Sequence, residues 1–150
     1  MKREIKFRAW DKAKHRMLGV DQLAFGPNGE LVSIYSDGPD FSNDSDALMG
    51  EKPDLNEAVL MEYTGLHDKN GQKIYEGDIL RVTTGEDGES YVAIVKWFGD
   101  EDYPAFDLEG IPAAWNYDAN ALATIFQSGV ETCEVIGNIF EDKQLLEGKQ

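Results

Sequence analysis

The stretch that decides the fold is Glu62–Val82, EYTGLHDKNGQKIYEGDILRV. It holds an alternating apolar run, a turn at Asp68–Gly71, a short apolar pair, a bend at Glu76–Asp78 and a second apolar run. Alternation with a period of two is typical of a half-buried strand. Asn-Gly is frequent in tight turns because both residues tolerate positive φ. The stretch therefore predicts short strands joined by tight turns.

The turn in this stretch does not fit a calcium or phosphate loop. An EF-hand loop starting at Asp68 needs glycine at its sixth position and glutamate at its twelfth, where the chain has Lys73 and Ile79. The glycines lack the spacing of a dinucleotide or P-loop motif. Zinc sites and Cys/His catalytic pairs are not expected either, because the available residues are far apart in the sequence: His15, His67 and Cys133. We therefore predict no catalytic residue, no metal site and no cofactor.

Strand and turn patterns continue on both sides of this stretch. Residues 1–35 predict a β-hairpin unit whose basic side chains lie on the solvent face. Residues 36–56, rich in Gly, Pro, Ser, Asn and Asp, predict a flexible acidic loop between two units. Residues 57–142 predict a second β-unit, and residues 143–150 a polar tail. The expected class is mainly β with one short helix: an N-terminal β-hairpin unit plus a C-terminal SH3-like β-roll or small barrel.

The single helix is predicted before the last strand. Asp118 is a suitable N-cap, and Gly129 fits the C-terminal stop. The residues expected on its buried face follow helical spacing: Ala119, Leu122, Ala123 and Phe126.

The net charge of −15 is unevenly distributed along the chain. Residues 1–18 hold seven Lys or Arg against two acids, and the other 132 residues hold 7 against 27. This gives +5 for the first part and −20 for the rest. Such a surface repels phosphate backbones and anionic lipids, so direct nucleic-acid or membrane binding is not expected. With one cysteine, no apolar run of about 18 residues and no signal-peptide pattern, a cytoplasmic location is expected.

Three segments of the chain resemble the YopX family of phage- and prophage-encoded proteins. They are IKFRAWDKAKHRM at residues 5–17, YTGLHDKNGQKIYEGDIL at 63–80 and EVIGNIFED at 134–142, in the family's order. Residues 36–56 and 105–127 depart from the family pattern. The resemblance implies an SH3-like β-roll, a phage origin and a place in the cytoplasm of the bacterial host. It implies no catalytic residue, because no activity is established for the family.

The leading hypothesis is a phage-encoded, non-enzymatic accessory protein that acts by protein–protein contact. Its partner would be a second copy of itself or a host protein, since the opposite charges of its two parts can attract each other between subunits. Aromatic residues cluster between Trp97 and Tyr117; most are expected in the core, and the last two in an interface. The candidate binding residues are Arg8, Trp10, Asp100, Glu101, Asp102, Trp115 and Tyr117.

Two alternatives remain open. The first is an acidic inhibitor that mimics DNA and blocks a host nucleic-acid-binding or defence protein. Between Thr83 and Asn120 Lys96 is the only base. The carboxylates that would mimic phosphates are Glu86, Asp87, Glu89, Asp100, Glu101, Asp102, Asp107 and Glu109. The second alternative is a metal-dependent hydrolase that uses the densest of these clusters.

Overall fold

The computed structural model describes residues 4–36, 38–39, 52–85, 88–112, 115, 117 and 119–147. The chain divides into two compact units, Met1–Tyr63 and Thr64–Gln150. Strands dominate both units, which confirms the predicted mainly β class. The closure of the second unit into an SH3-like roll stays a prediction.

The first unit contains a sheet with the strand order β5-β2-β1-β6 and a separate two-stranded sheet, β3-β4. The hairpin between β1 and β2 turns at Asp11, whose Oδ1 accepts hydrogen bonds from the N–H groups of Ala13 (3.1 Å) and Lys14 (3.3 Å). A 3-10 helix at Leu55–Glu57 precedes β6. The strands are β1 (Phe7–Asp11), β2 (Arg16–Gly19), β3 (Gln22–Phe25), β4 (Leu31–Tyr35), β5 (Gly38–Pro39) and β6 (Ala58–His67).

The boundary between the units differs from the predicted one. β1 pairs antiparallel with β6 from Phe7 opposite Glu62 to Asp11 opposite Ala58. Residues 58–63 therefore belong to the first unit, and the chain passes into the second unit within β6. The composition of residues 36–56 predicted a loop between the two units. The pairing of β1 with β6, which are far apart in the sequence, instead keeps residues 58–63 in the first unit. Most of the predicted loop at residues 36–56 lies outside the described residues.

The second unit is built on an antiparallel sheet with the order β10-β9-β8-β11 in the described residues. In the sequence, Gly85–Gly88 lies between two apolar β-type runs, which predicts a hairpin. The register confirms this prediction, since Thr83 lies opposite Ser90. A short helix, α2, lies in the predicted tail. The elements are β7 (Lys73–Tyr75), β8 (Asp78–Thr84), β9 (Ser90–Trp97), β10 (Phe106–Glu109), α1 (Ala121–Ser128), β11 (Glu131–Asn138) and α2 (Gln144–Glu147).

The predicted bend at Glu76–Asp78 is a tight turn centred on Gly77. Gly77 has a φ of 88°, which a side chain would disfavour. Its N–H donates to the Val95 carbonyl (2.8 Å), and its carbonyl accepts from Ile139 N–H (3.0 Å). Asp78 Oδ2 accepts from Tyr75 N–H (2.8 Å). The bend therefore ties β7 and β8 to neighbouring parts of the second unit.

Helix α1 begins at a different cap and buries a different face from those predicted. Its N-cap is Asn120, whose Oδ1 accepts from Ala123 N–H (2.8 Å), while Asp118 lies outside the described residues. The predicted stop at Gly129 is confirmed, with a φ of 72°. Ala123 is exposed. The buried helix residues, which pack into the core of the sheet, are Ala121, Leu122 and Ile125.

Candidate functional site

The connection between β9 and β10 holds several exposed acidic and aromatic residues. A 3-10 helix at Gly99–Glu101 forms this connection, and the carbonyl of Phe98 accepts from the N–H groups of Glu101 (3.0 Å) and Tyr103 (3.1 Å). Asp102 ends the 3-10 helix with a φ of 62°, in the left-handed region. We call this surface the acidic aromatic patch; it consists of Trp97, Phe98, Asp100, Glu101, Asp102, Tyr103 and Glu109.

Two aromatic rings of the patch are exposed to solvent. Trp97 is 40% exposed and Tyr103 37%. By strand alternation Trp97 shares a face of β9 with the core residue Val95, but it lies at the end of the strand. Trp97 packs edge-to-face on Phe106, with ring centroids 5.1 Å apart, and Tyr103 packs on Phe98 at 5.8 Å. Both rings are thus held by neighbours while part of their surface faces solvent.

The patch already holds one cation from its own chain. Lys96 Nζ lies 2.8 Å from Glu101 Oε2 and 3.3 Å from Glu109 Oε2. The same ammonium group lies 5.0 Å from the centroid of the Phe98 ring. The hydrogen bonds to Glu101 and Glu109 raise the pKa of Lys96. Carboxylates beside an aromatic face form a suitable environment for an ammonium or guanidinium group.

Asp107, a predicted phosphate mimic, has a structural role instead. Its Oδ1 accepts from Leu108 N–H (2.8 Å) and from Leu122 N–H (3.1 Å) in the first turn of α1. Its Oδ2 accepts from the Tyr103 hydroxyl (3.2 Å). Burial, together with the charge of Asp107, raises the pKa of Tyr103. Asp107 therefore links β10, α1 and one exposed ring of the patch.

The structure contradicts the expectation that Arg8, a basic residue of the hairpin, lies on the solvent face, and the candidate binding residue Trp10 is buried as well. Arg8 is 8% exposed and Trp10 6%. Arg8 Nη2 contacts Met61 Sδ at 3.8 Å, and the Trp10 ring packs edge-to-face on His15 at 6.1 Å. β1 is the strand between β2 and β6, and its residues from Arg8 to Asp11 are buried. Arg8 and Trp10 therefore do not form an exposed surface.

Trp115 and Tyr117 pack against the second unit's core and are half-buried. The Trp115 ring lies edge-to-face against Tyr91, 4.7 Å away. The hydroxyls of Tyr91 and Tyr117 are 2.7 Å apart, and the Tyr117 hydroxyl donates to Glu131 Oε2 (2.9 Å). Burial raises the pKa of Tyr117 to about 12, and the bond to Glu131 adds to this effect. Trp115 and Tyr117 thus contact Tyr91 and Glu131. The other predicted binding residues, Asp100, Glu101 and Asp102, belong to the acidic aromatic patch.

Cys133 is expected to be unreactive in the folded protein. The thiol is buried, and burial raises its pKa to about 12, with further contributions from the charges of Glu131 and Asp68. Because the thiolate is the reactive form, we expect at least about a 100-fold slower reaction with a disulfide reagent at pH 8 than in urea. Absorbance of the released thiol measures both rates. Equal rates in the two conditions would contradict this placement of Cys133.

An apolar groove of about 320 Å³ lies beside α1. The residues around it come from the end of β6, from β10 and from α1: Thr64, Leu66, Phe106, Asn120, Leu122, Ala123, Phe126 and Gln127. Phe106, which supports Trp97 of the patch, forms one wall. Among the described residues, no three or more His, Cys, Asp or Glu side chains are grouped to hold a metal ion.

The comparisons with known proteins confirm the family resemblance of the three segments quoted above. A family model described as YopX protein matches residues 6–147. The chain belongs to the YopX family. This YopX-family chain resembles the crystal structure of protein EF1440 from Enterococcus faecalis, with 24% identity, a TM-score of 0.58 and coverage of 97% of this chain and 99% of that one. It also resembles the X-ray structure of protein yopX from Bacillus subtilis, with 21% identity, a TM-score of 0.56 and coverage of 93% and 96%.

At these identities the likeness of this YopX-family protein to the two structures shows a shared fold. No curated protein matches the chain. Within the part of the chain that the structure describes, no helix has the length and apolar character needed to cross a membrane.

Proposed function

We propose that this YopX-family protein is non-enzymatic and acts by protein–protein contact through the acidic aromatic patch. The observation that carries the proposal is that Trp97 and Tyr103 are exposed at the two ends of a turn whose carboxylates, Asp100, Glu101 and Asp102, are exposed as well. Large aromatic rings at a surface are frequent anchors of protein interfaces. The partner that this chemistry fits is a protein segment rich in Lys and Arg.

The setting we propose is the cytoplasm of a bacterial host in which a phage or prophage encodes the protein. The family resemblance supports this setting, and the partner is then a host protein or a second copy of the chain. The charge distribution supports a basic partner, because the second unit carries 17 acids against 6 Lys or Arg. Attraction to such a partner weakens as salt is added.

Removal of the exposed tryptophan is expected to weaken binding of a basic peptide. For a Lys-rich peptide, we expect W97A to raise the Kd at least about tenfold, which corresponds to about 1.4 kcal/mol. Titration followed by the NMR signals of the tryptophan indole N–H groups measures the Kd and locates the contact. The matched control is F25A, since Phe25 is an exposed ring of the first unit. Equal affinities of wild type and W97A would contradict the proposal.

A DNA mimic is the second candidate function, although several of the carboxylates that would mimic phosphates have partners within the protein. Glu101 and Glu109 contact Lys96, and Asp107 accepts hydrogen bonds within its own unit. Glu86 and Asp87 lie outside the described residues. Competition between duplex DNA and the protein for a captured host partner separates the two functions. Displacement of the protein by DNA supports mimicry, whereas retention supports contact through the patch.

A metal-dependent hydrolase stays a hypothesis with a direct test. Among the patch carboxylates, Glu101 and Glu109 approach the same Lys96 ammonium group. A hydrolytic site there would require a divalent cation to replace this ammonium group. Turnover of a phosphodiester with Mg²⁺ that is lost in E101Q would support that activity.

A further inference from the structure

The groove beside α1 is suited to an apolar anchor. Its lining includes Leu66, Phe106, Leu122 and Phe126, with Leu122 buried at 2% exposure. A volume of about 320 Å³ lies at the lower end of the range of about 300–1,000 Å³ for ligand pockets. The groove therefore has room for one or two side chains.

Polar side chains at the rim of the groove have hydrogen bonds within the protein. Thr64 Oγ1 donates to the Ile74 carbonyl (2.8 Å) and accepts from Leu66 N–H (3.2 Å). Asn120 Nδ2 donates to the Phe106 carbonyl (2.9 Å), and its Oδ1 accepts from Ala123 N–H. An occupant would therefore be recognised through apolar surface rather than through these polar groups.

One aromatic pair links the groove to the acidic aromatic patch. Phe106 lines the groove and packs against Trp97 of the patch. An occupant that fits both surfaces carries an apolar side chain next to Lys or Arg residues. The apolar side chain would fill the groove, and the bases would lie against the patch carboxylates and rings.

The chain itself contains a segment with this pattern before β1. Ile5 is 62% exposed and lies between exposed Glu4 and Lys6. Among the exposed large apolar side chains of the described residues, only Ile5 has a basic residue within two positions on both sides, Arg3 and Lys6. Phe25, Val32 and Tyr35, the exposed large apolar residues of β3 and β4, have no base that close in sequence.

We propose that residues 1–6 of one copy dock on a second copy, with Ile5 in the groove and the flanking bases on the acidic aromatic patch. This inference rests on the proposed function and names the partner of the patch. Two such contacts, made reciprocally, give a closed dimer with twofold symmetry. Burial of an aliphatic side chain supplies the affinity, and the opposite charges supply orientation and salt sensitivity.

Matched substitutions on the two sides of the contact test the dimer. We expect I5S and A123R each to raise the dimer dissociation constant at least about tenfold, measured by sedimentation velocity over a concentration series. Ala123 is an exposed residue at the groove, where an arginine would block entry and repel the basic segment. The controls are V32S and A119R, which make the same changes at exposed sites outside the segment and the groove.

A mixture of the two variants gives the sharpest result. I5S keeps an intact groove and A123R keeps an intact basic segment, so the mixed dimer has one complete contact whereas each variant alone has none. We expect the mixture to associate more strongly than either variant, and association of all forms to fall in high salt. A mixture that is as monomeric as its components would overturn the inference, as would a wild-type protein that is monomeric at every concentration.

The same experiments separate this inference from the proposed function. If the wild type is monomeric while the Lys-rich peptide still binds at Trp97, the docking of residues 1–6 is wrong and contact through the patch stands. If the dimer forms and I5S abolishes it while W97A has no effect on the peptide or the dimer, the groove contact stands and the function of the patch is wrong.

Discussion

Replacement of Leu80 by alanine is expected to lower the free energy of unfolding by about 3 kcal/mol. Leu80 is fully buried and lies on β8, opposite Ala93 of β9 and Val135 of β11. It belongs to the same core as Leu122 and Ile125 of α1. The truncated side chain removes apolar contacts and leaves a cavity, because the strands on both sides limit collapse. Urea unfolding followed by circular dichroism measures the change in midpoint.

The neighbouring residue on the same strand provides the control. Arg81 is exposed, since alternate residues of β8 point to opposite faces. R81A is expected to change the free energy of unfolding by no more than about 0.5 kcal/mol. If L80A lowers the free energy of unfolding by less than R81A does, the strand register given above is incorrect.

The core of the second unit could be predicted because its pattern is local. Apolar residues alternate through β8 and β9, and Gly85–Gly88 separates the two runs, so both strands and their hairpin followed from the sequence. The bend at Glu76–Asp78 followed from the same reasoning. Each of these features depends on residues that are near each other in the chain.

Features that depend on distant residues were predicted less well. Asp118 and Asn120 are both good N-caps, but Asn120 also reaches the carbonyl of Phe106, and Asp107 reaches Leu122 N–H. The helix begins after Asn120, where these contacts are made. They join residues too far apart in the sequence to be predicted from neighbouring residues. The burial of Arg8 also involves a residue that is distant in the sequence, since Arg8 contacts Met61.

The candidate site was predicted in part. The acidic residues Asp100, Glu101 and Asp102 were expected at the surface, and they are exposed. The interface aromatics were assigned to Trp115 and Tyr117, which pack at Tyr91, whereas the described rings of the second unit that are exposed are Trp97 and Tyr103. Strand alternation places Trp97 on the core face, so the exposure of this ring could not be predicted from the alternation alone. Its position at the end of β9, next to an acidic turn, was the available signal.

Several acidic residues in the three YopX-like segments serve the backbone. Asp11 accepts from N–H groups in the first hairpin, and Asp78 accepts from Tyr75 N–H. Asp142 Oδ2 accepts from Asn138 N–H (3.0 Å). Such hydrogen bonds satisfy N–H groups that turns leave without strand partners. The segments that carry the resemblance are therefore explained largely by folding, and the patch and groove lie mostly outside them.

Asp68 is the strongest example, and D68A is expected to lower the free energy of unfolding by about 2–3 kcal/mol. The carboxylate is buried; its Oδ1 accepts from the N–H groups of Asn70 (2.8 Å) and Gln72 (2.9 Å). Its Oδ2 accepts from Val135 N–H (2.9 Å) on β11. Loss of the carboxylate removes the acceptor of these three N–H groups. It also removes the hydrogen bond between the turn and β11. D68N keeps an acceptor for the turn but not for Val135, so about half of the loss is expected.

The pH dependence gives this prediction a second measurement. Burial acts to raise the pKa of Asp68, but hydrogen bonds from Val135, Gln72 and Asn70 and the charge of Lys69 outweigh it, so the pKa lies below its ordinary value of 3.8. A lowered folded-state pKa means that the stabilisation is complete above pH 3.8 and is lost as the pH falls through the folded-state pKa. The stability gap between wild type and D68N, measured by urea unfolding from pH 6 to pH 2, is therefore expected to narrow below pH 3.8. The control is D100N at an exposed carboxylate, for which a gap of no more than about 0.5 kcal/mol is expected. A D68N gap that stays constant to pH 2 would show that the charge of Asp68 is not what holds the turn against β11.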